Sequence, residues 1–260
     1  MPSLCPVVML WIEGRLGLIE RLSLASFKAA GHQVALYAYG EITDLPAGID
    51  LRDARTILPE DAARTLRYAN GSVALFSNLF RYELLRRGLG LWSDTDVVCL
   101  RPVAIDKPFV AGWESADYLN GAVLYAEPKS LFVHDAVAAF HSGEVPGWLP
   151  FHRAPVAKLR ALVGQRVSAQ HLPHGTFGPK GVTALARRHG LLPLAEPREV
   201  FYPLLPRRAR EIFEPNAGLE ACITRETLAV HLWNEKLRDL KAVAPPRGSL
   251  LRDLCDRFGL

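Results

Sequence analysis

The sequence predicts an α/β domain built on a mixed central sheet with helices on both faces. The chain opens with a strand, helix, strand unit: Pro6 to Ile12 (PVVMLWI), Leu16 to Ala30, then Gln33 to Tyr39. A second helix, turn and strand fill Ser72 to Pro102, and two strand-length runs follow at Pro108 to Trp113 and Leu119 to Ala126. Strand and helix patterns alternating in this way imply a sheet covered by helices.

Each element has its own warrant. Pro6 to Ile12 is continuously apolar, as a strand buried on both faces should be, and Gly14 allows the turn that ends it. Leu18, Ile19, Leu22 and Phe27 give the next segment a helical period that stops at Gly31. No G-x-G-x-x-G follows the first strand, which disfavours a dinucleotide fold of the Rossmann type. Glu41 to Asp61 is rich in turn residues and reads as a surface connection with one short strand near Ile49 to Leu51. Pro128 and Ser130 introduce a helix to His141, and further helices are expected at Ala154 to Val163, after the His174 to Pro179 turn as far as Arg188, and over Gly248 to Leu260. Leu228 to Trp233 (LAVHLW) reads as a short late strand.

Composition sets outer limits. The chain has 260 residues, 49% of them hydrophobic, enough for a sizeable core and against disorder. A formal charge of +4 is too small to argue for nucleic acid as a partner. Cys5, Cys99, Cys222 and Cys255 are scattered without metal-ligand spacing, which suits reduced thiols. No run approaches the roughly 18 apolar residues of a membrane span. A soluble cytoplasmic protein is expected. Arg207-Arg208-Ala209-Arg210 reads either as a solvated face or as a peripheral contact at the inner face of a membrane.

The informative stretch is Ser77 to Pro102, SNLFRYELLRRGLGLWSDTDVVCLRP. Asp94-Thr95-Asp96 interrupts a strand pattern, and two carboxylates one residue apart across a turn can face one hard divalent cation. Upstream, Val73, Phe76, Leu79, Phe80 and Leu84 mark a helix on which Asn78 and Arg81, three apart, project from one side. Gly88 and Gly90 end the helix and start the strand.

These residues resemble the DXD-containing sugar-nucleotide glycosyltransferases of family 32 and, more distantly, the glucosyltransferase domains of large clostridial toxins. The resemblance rests on Ser77-Asn78-Leu79-Phe80-Arg81-Tyr82 followed by Leu89-Gly90-Leu91-Trp92-Ser93-Asp94-Thr95-Asp96, with His231-Leu232-Trp233-Asn234 as a second anchor far downstream. Asn78 stands where the family has a sugar-binding Asp, and Leu89 where it has the first Gly. Weaker local matches are Asn120-Gly121-Ala122-Val123 and the Thr176-Phe177-Gly178-Pro179 turn.

The resemblance implies a GT-A type fold in a single catalytic domain over residues 1–260, with about 142–175 shaping the acceptor side. It implies metal-dependent transfer of a hexose from a UDP- or GDP-sugar to a glycan, lipid or protein hydroxyl, with retention, in polysaccharide or glycolipid synthesis. Asp94, Asp96 and Arg81 would be the catalytic residues. Asp96, Asp94 and His231 would hold Mn²⁺ or Mg²⁺. Trp11, Asn78, Arg81, Asp94, Asn120 and Trp233 would contact the donor. Read from the residues alone, Trp11 is equally a core tryptophan, Asn120 equally a turn residue, and His152, His171 and His174 ordinary histidines. Two other classes stay open: an inactive sugar-nucleotide or glycan-binding module, and an Asp-based phosphohydrolase.

Overall fold

The computed structural model describes residues 4–68 and 71–260. The chain runs β1 (Val7–Leu10), β2 (Gly14–Arg15), α1 (Leu18–Ala29), β3 (Val34–Ala38), β4 (Ile42–Thr43) and β5 (Asp50–Asp53). It continues through α2 (Glu60–Thr65), α3 (Ala74–Arg86), β6 (Leu91–Ser93), β7 (Val97–Cys99), β8 (Phe109–Trp113) and β9 (Leu119–Ala126). Then come α4 (Leu131–His141), α5 (Pro155–Leu162), α6 (Pro179–Arg188), α7 (Arg198–Phe201), β10 (Ala229–His231) and α8 (Leu250–Phe258).

The main sheet has the order β5-β3-β1-β6-β9-β8. Its first four strands are parallel, with Val7 opposite both Val34 and Leu91, and β9 is antiparallel to β6 and β8. The fold is therefore α/β with a mixed sheet. Val7, Val8 and Met9 are fully buried because β1 lies inside the sheet with both faces covered. Val8 packs with Phe76 and Phe80 of α3, Phe132 of α4 and Val182 of α6. Val7 and Met9 point the other way, onto Leu24 and Phe27 of α1 and Phe201 of α7.

The turn between α3 and β6 is where helix geometry hands over to the sheet. Gly88 adopts φ 68°, Leu89 N-H donates to Leu84 O and Gly88 N-H to Leu85 O, which together form a Schellman cap. Leu89 then packs on the same apolar cluster as Leu84. Gly90 has φ 145°, and Leu91 N-H donates to Pro6 O at 2.8 Å, so the chain enters β6 hard against the residue before β1.

Three boundaries differ from the sequence reading. The strand read over Leu91 to Val98, interrupted by the carboxylates, is two strands in different sheets: β6 belongs to the main sheet, and β7 pairs antiparallel with β10. The late strand is only three residues long, because Trp233 adopts φ 59° and turns the chain. The connection from Glu41 ends in α2, and its short strand, β5, is Asp50–Asp53 with all four residues exposed at the sheet edge. All four cysteines are free thiols. Among the described residues, no helix is long and apolar enough to cross a membrane.

Gly90→Ala is expected to cost more than the usual helix or strand glycine replacement, about 2 kcal/mol or more. A Cβ there would overlap the Pro6 carbonyl oxygen and would also demand a left-handed φ. Urea unfolding checks this, and a loss below about 0.5 kcal/mol would contradict the close approach.

Candidate metal and donor site

The pairing of β7 with β10 builds the site. Val97 lies opposite His231, and Leu232 N-H donates to Asp96 O at 2.9 Å, so the imidazole is delivered beside the carboxylates from the far end of the chain. One ligand atom from each of Asp94, Asp96 and His231 falls within 4.8 Å of the others. Ligand atoms around one cation at about 2.1 to 2.2 Å stand roughly 3 to 4.4 Å apart, so small side-chain rotations close the set. Two carboxylates and an imidazole suit a borderline-hard divalent ion such as Mn²⁺, and Mg²⁺ with more water in its shell. The buried Nδ1 of His231 makes no hydrogen bond. The donor set fits the implied cation.

The two carboxylates are held differently. Asp94 Oδ1 accepts from Arg81 Nη2 and from Trp92 Nε1, each at 2.7 Å, which leaves Oδ2 without a protein partner among the described residues. Asp96 is buried, and its Oδ2 accepts from the backbone N-H of Asn234 at 2.8 Å and faces His231 Nε2 at 3.2 Å. Burial alone would raise the Asp96 carboxyl. The His231 charge and hydrogen bond, with the Asn234 N-H, outweigh it and hold the carboxyl below its ordinary value. For His231, burial pulls down, but Asp96 and then Asp94 and Glu114 raise the imidazole above its ordinary value.

Arg81 is the other fixed point. Its side chain is buried, with Nη1 donating to Asn78 Oδ1 at 3.0 Å, Nη2 on Asp94, and the guanidinium 5.1 Å from the Trp92 ring centroid. Gly121 makes room for it, since a Cβ there would sit 2.6 Å from Nη1. The buried Nε has no partner.

Two adjoining cavities meet at the carboxylates. One, of about 510 Å³, is walled by Trp11, Ile12, Phe76, Trp92 and Thr95. The other, of about 290 Å³, is walled by Asn78, Arg81, Asn120, Gly178 and His231. Both are lined by Asp94, Asp96, Ser77 and Glu235. Trp11 is half-buried, packs on the core cluster of α1, and carries a buried indole N-H with no partner. Trp233 lines neither cavity. Its indole N-H donates to Leu204 O at 2.8 Å, and its ring lies 4.1 Å from that of His231, so it backs the imidazole. His174 is on the wall of the smaller cavity, whereas His152 and His171 are exposed and line neither cavity.

Sequence reasoning missed three supporting residues. Asn234 ties Asp96 to α1: its N-H binds the carboxylate while its Nδ2 donates to Glu20 Oε1 at 2.8 Å. Its position directly after His-Leu-Trp was the available signal. Tyr202 is fully buried, donates to Asn120 O and accepts from Val123 N-H, and nothing in FYPLLP marks it. Glu114 accepts from Asn120 Nδ2 at 2.6 Å, and burial raises its carboxyl against that hydrogen bond and the His231 charge.

No family model matches the chain, and no curated protein matches it. Among solved structures it is similar to the PaToxG glycosyltransferase at 10% identity, covering 98% of this chain and 86% of that one with a TM-score of 0.46. At that distance any functional reading has to stand on the site itself.

In metal-free protein the Asp96-His231 pair should stabilise the fold within a defined pH window. The raised His231 contributes fully below its unfolded value near 6.5 and loses its contribution as pH climbs through the higher folded value. The lowered Asp96 contributes above about 3.8 and loses its contribution as pH falls through the lower folded value. Between those limits both act. Thermal midpoints of EDTA-treated protein across pH should therefore fall on the alkaline side more steeply in wild type than in His231→Gln, and parallel curves would deny the pair this role.

Proposed function

We propose that this protein is a cation-dependent glycosyltransferase of GT-A type that moves a hexose from a sugar nucleotide to a hydroxyl acceptor. The observation that carries the reading is the Asp94, Asp96 and His231 set at the junction of two cavities, one with an aromatic and apolar wall, the other polar and containing the Arg81 guanidinium. A nucleoside needs a flat apolar wall, a sugar needs hydrogen-bonding groups, and the diphosphate between them needs positive charge.

On this reading Trp11, on the wall of the larger cavity, stacks on the base. Arg81, Asn78 and Asn120 orient the hexose, with the Arg81 guanidinium held by Asp94 and Trp92 before any substrate arrives. A divalent cation at Asp94, Asp96 and His231 supplies electrostatic stabilisation to the charge that develops on the leaving nucleoside diphosphate. Asp94 presents a free Oδ2 towards that position because its Oδ1 is already fixed. Trp233 and Tyr202 keep His231 in place by ring contacts at 4.1 and 5.8 Å, the role we assign to Trp233 instead of direct cover of the donor. Retention is carried by the family resemblance. The same reading takes residues 1–260 as one catalytic domain and about 142–175 as its acceptor side.

Incubation with a panel of UDP- and GDP-hexoses and Mn²⁺ tests the proposal by slow release of free sugar. Phosphate release from simple esters would point to a hydrolase, and binding without turnover to a binding module. EDTA should abolish release without unfolding the protein, and near wild-type turnover in its presence would remove the cation from the mechanism. Asp96→Asn should also abolish release. It should lower stability by about 1 to 3 kcal/mol as well, because a buried imidazole and a backbone N-H lose their charged partner.

Asn78→Asp is expected to change relative donor preference across the same panel. The carboxylate would keep the hydrogen bond from Arg81 and add a charge, withdrawing part of the guanidinium from the sugar. An unchanged donor profile would show that position 78 does not read the sugar.

A further inference from the structure

We propose that the outward face of α5, made of Val156, Leu159, Leu162 and Val163 and flanked by Lys158 and Arg160, docks on an anionic phospholipid bilayer. These four apolar residues are 61%, 55%, 77% and 73% exposed. Together with Phe151 they are five of the nine large hydrophobic residues exposed among the described residues. They are three and four apart, so they form one stripe along the helix and the residue that follows it. The opposite side is alanine: Ala157 is buried, and Ala154 and Ala157 pack into a cluster with Leu75 and Phe177. A helix in water normally buries its large apolar side chains, and α5 points them outward. A concentrated exposed patch of this kind marks a contact surface.

Charge decides what the contact is with. From Val145 to Ala195 the sequence contains seven Lys and Arg and no Asp or Glu, in a chain whose formal charge is +4. Lys158 and Arg160 sit on the two edges of the apolar stripe, and no described acidic side chain pairs with them. Arg208 and Arg210, in the cluster the sequence suggested for a membrane contact, are instead paired with Glu211 and Asp239. A second copy of this chain meeting the same face would set cation against cation. A nucleic acid would answer the charge but not the stripe. An anionic bilayer answers both, taking up the apolar side chains at the acyl boundary and the cations at the headgroups. Phe177 of the cluster beneath α5 precedes Gly178 on the wall of the smaller cavity, so the docked face adjoins the cleft. The docking does not depend on the reaction proposed above.

The test is flotation of the full chain with vesicles of phosphatidylcholine, alone or mixed with phosphatidylglycerol. Wild type is expected to float with the mixed vesicles, far less with phosphatidylcholine alone, and less as salt is raised. Leu159→Ser combined with Leu162→Ser should reduce the bound fraction about tenfold, and Lys158→Gln with Arg160→Gln should remove the preference for the anionic lipid. Both double variants should keep the wild-type thermal midpoint, because the side chains are exposed or at the rim. Absence of wild-type binding to mixed vesicles at low salt overturns the proposal, as does equal binding by the leucine variant. A wild-type dimer that this variant converts to monomer, without lipid binding, would assign the face to a second copy and overturn it too.

Discussion

The site depends on a three-residue antiparallel pairing between strands that are far apart in sequence. β7 and β10 share only Val97 to Cys99 and Ala229 to His231, yet this contact places an imidazole and a backbone N-H on the same carboxylate oxygen of Asp96. Asn234 and Asp96 are 138 residues apart. Closing such a loop is entropically costly, and a short ladder alone would not hold it. The surrounding core supplies the rest: Val98, Val230 and Leu232 are buried with Leu22 of α1 and Leu251 of α8. The gathering of Asp94, Asp96 and His231 thus rests on apolar packing on the side of β10 away from the cleft.

The left-handed turn at Trp233 follows from the same constraint. In this antiparallel register a strand continuing past His231 would set Leu232 opposite Asp96 and carry Asn234 on to lie opposite Asp94, beyond the Asp96 carboxylate. Turning there with φ 59° brings the Asn234 N-H back onto the carboxylate and lets the Trp233 ring pack against the imidazole. A bulky residue in this region of backbone space is strained, and such strain persists where the surroundings over-determine it. Here the indole hydrogen bond to Leu204 and the ring contacts to Tyr202 and His231 do so.

How far the sequence could be read follows from which signals are local. The opening strand, helix, strand unit, α3 and the glycine turn were legible because burial on one or both faces leaves a periodic trace in the residues themselves. The same holds for the grouping of Asn78 and Arg81, which helix geometry puts on one side whatever the fold. Strand partners leave no such trace. That β6 and β7 part company at Asp94 depends on which distant strand each meets, and Val97-Val98-Cys99 reads the same in either sheet. Tyr202 and Glu114 were invisible for a related reason: each matters through its contact with Asn120, which only the closed chain creates.

The two departures from the family pattern have separate physical explanations. Leu89 is not among the residues with positive φ, because Gly88 and Gly90 take the two unusual conformations on either side of it. Its side chain adds the apolar contact that commonly accompanies a Schellman cap, so the leucine stabilises the turn at no cost to the site. Asn78 is different, because it faces the cavity. Its Oδ1 accepts from Arg81 as a carboxylate would, but a neutral amide leaves the guanidinium with one carboxylate partner instead of two. Arg81 here is less neutralised than an aspartate at position 78 would leave it, and the amide N-H adds a donor where the pattern of the family it resembles has only an acceptor.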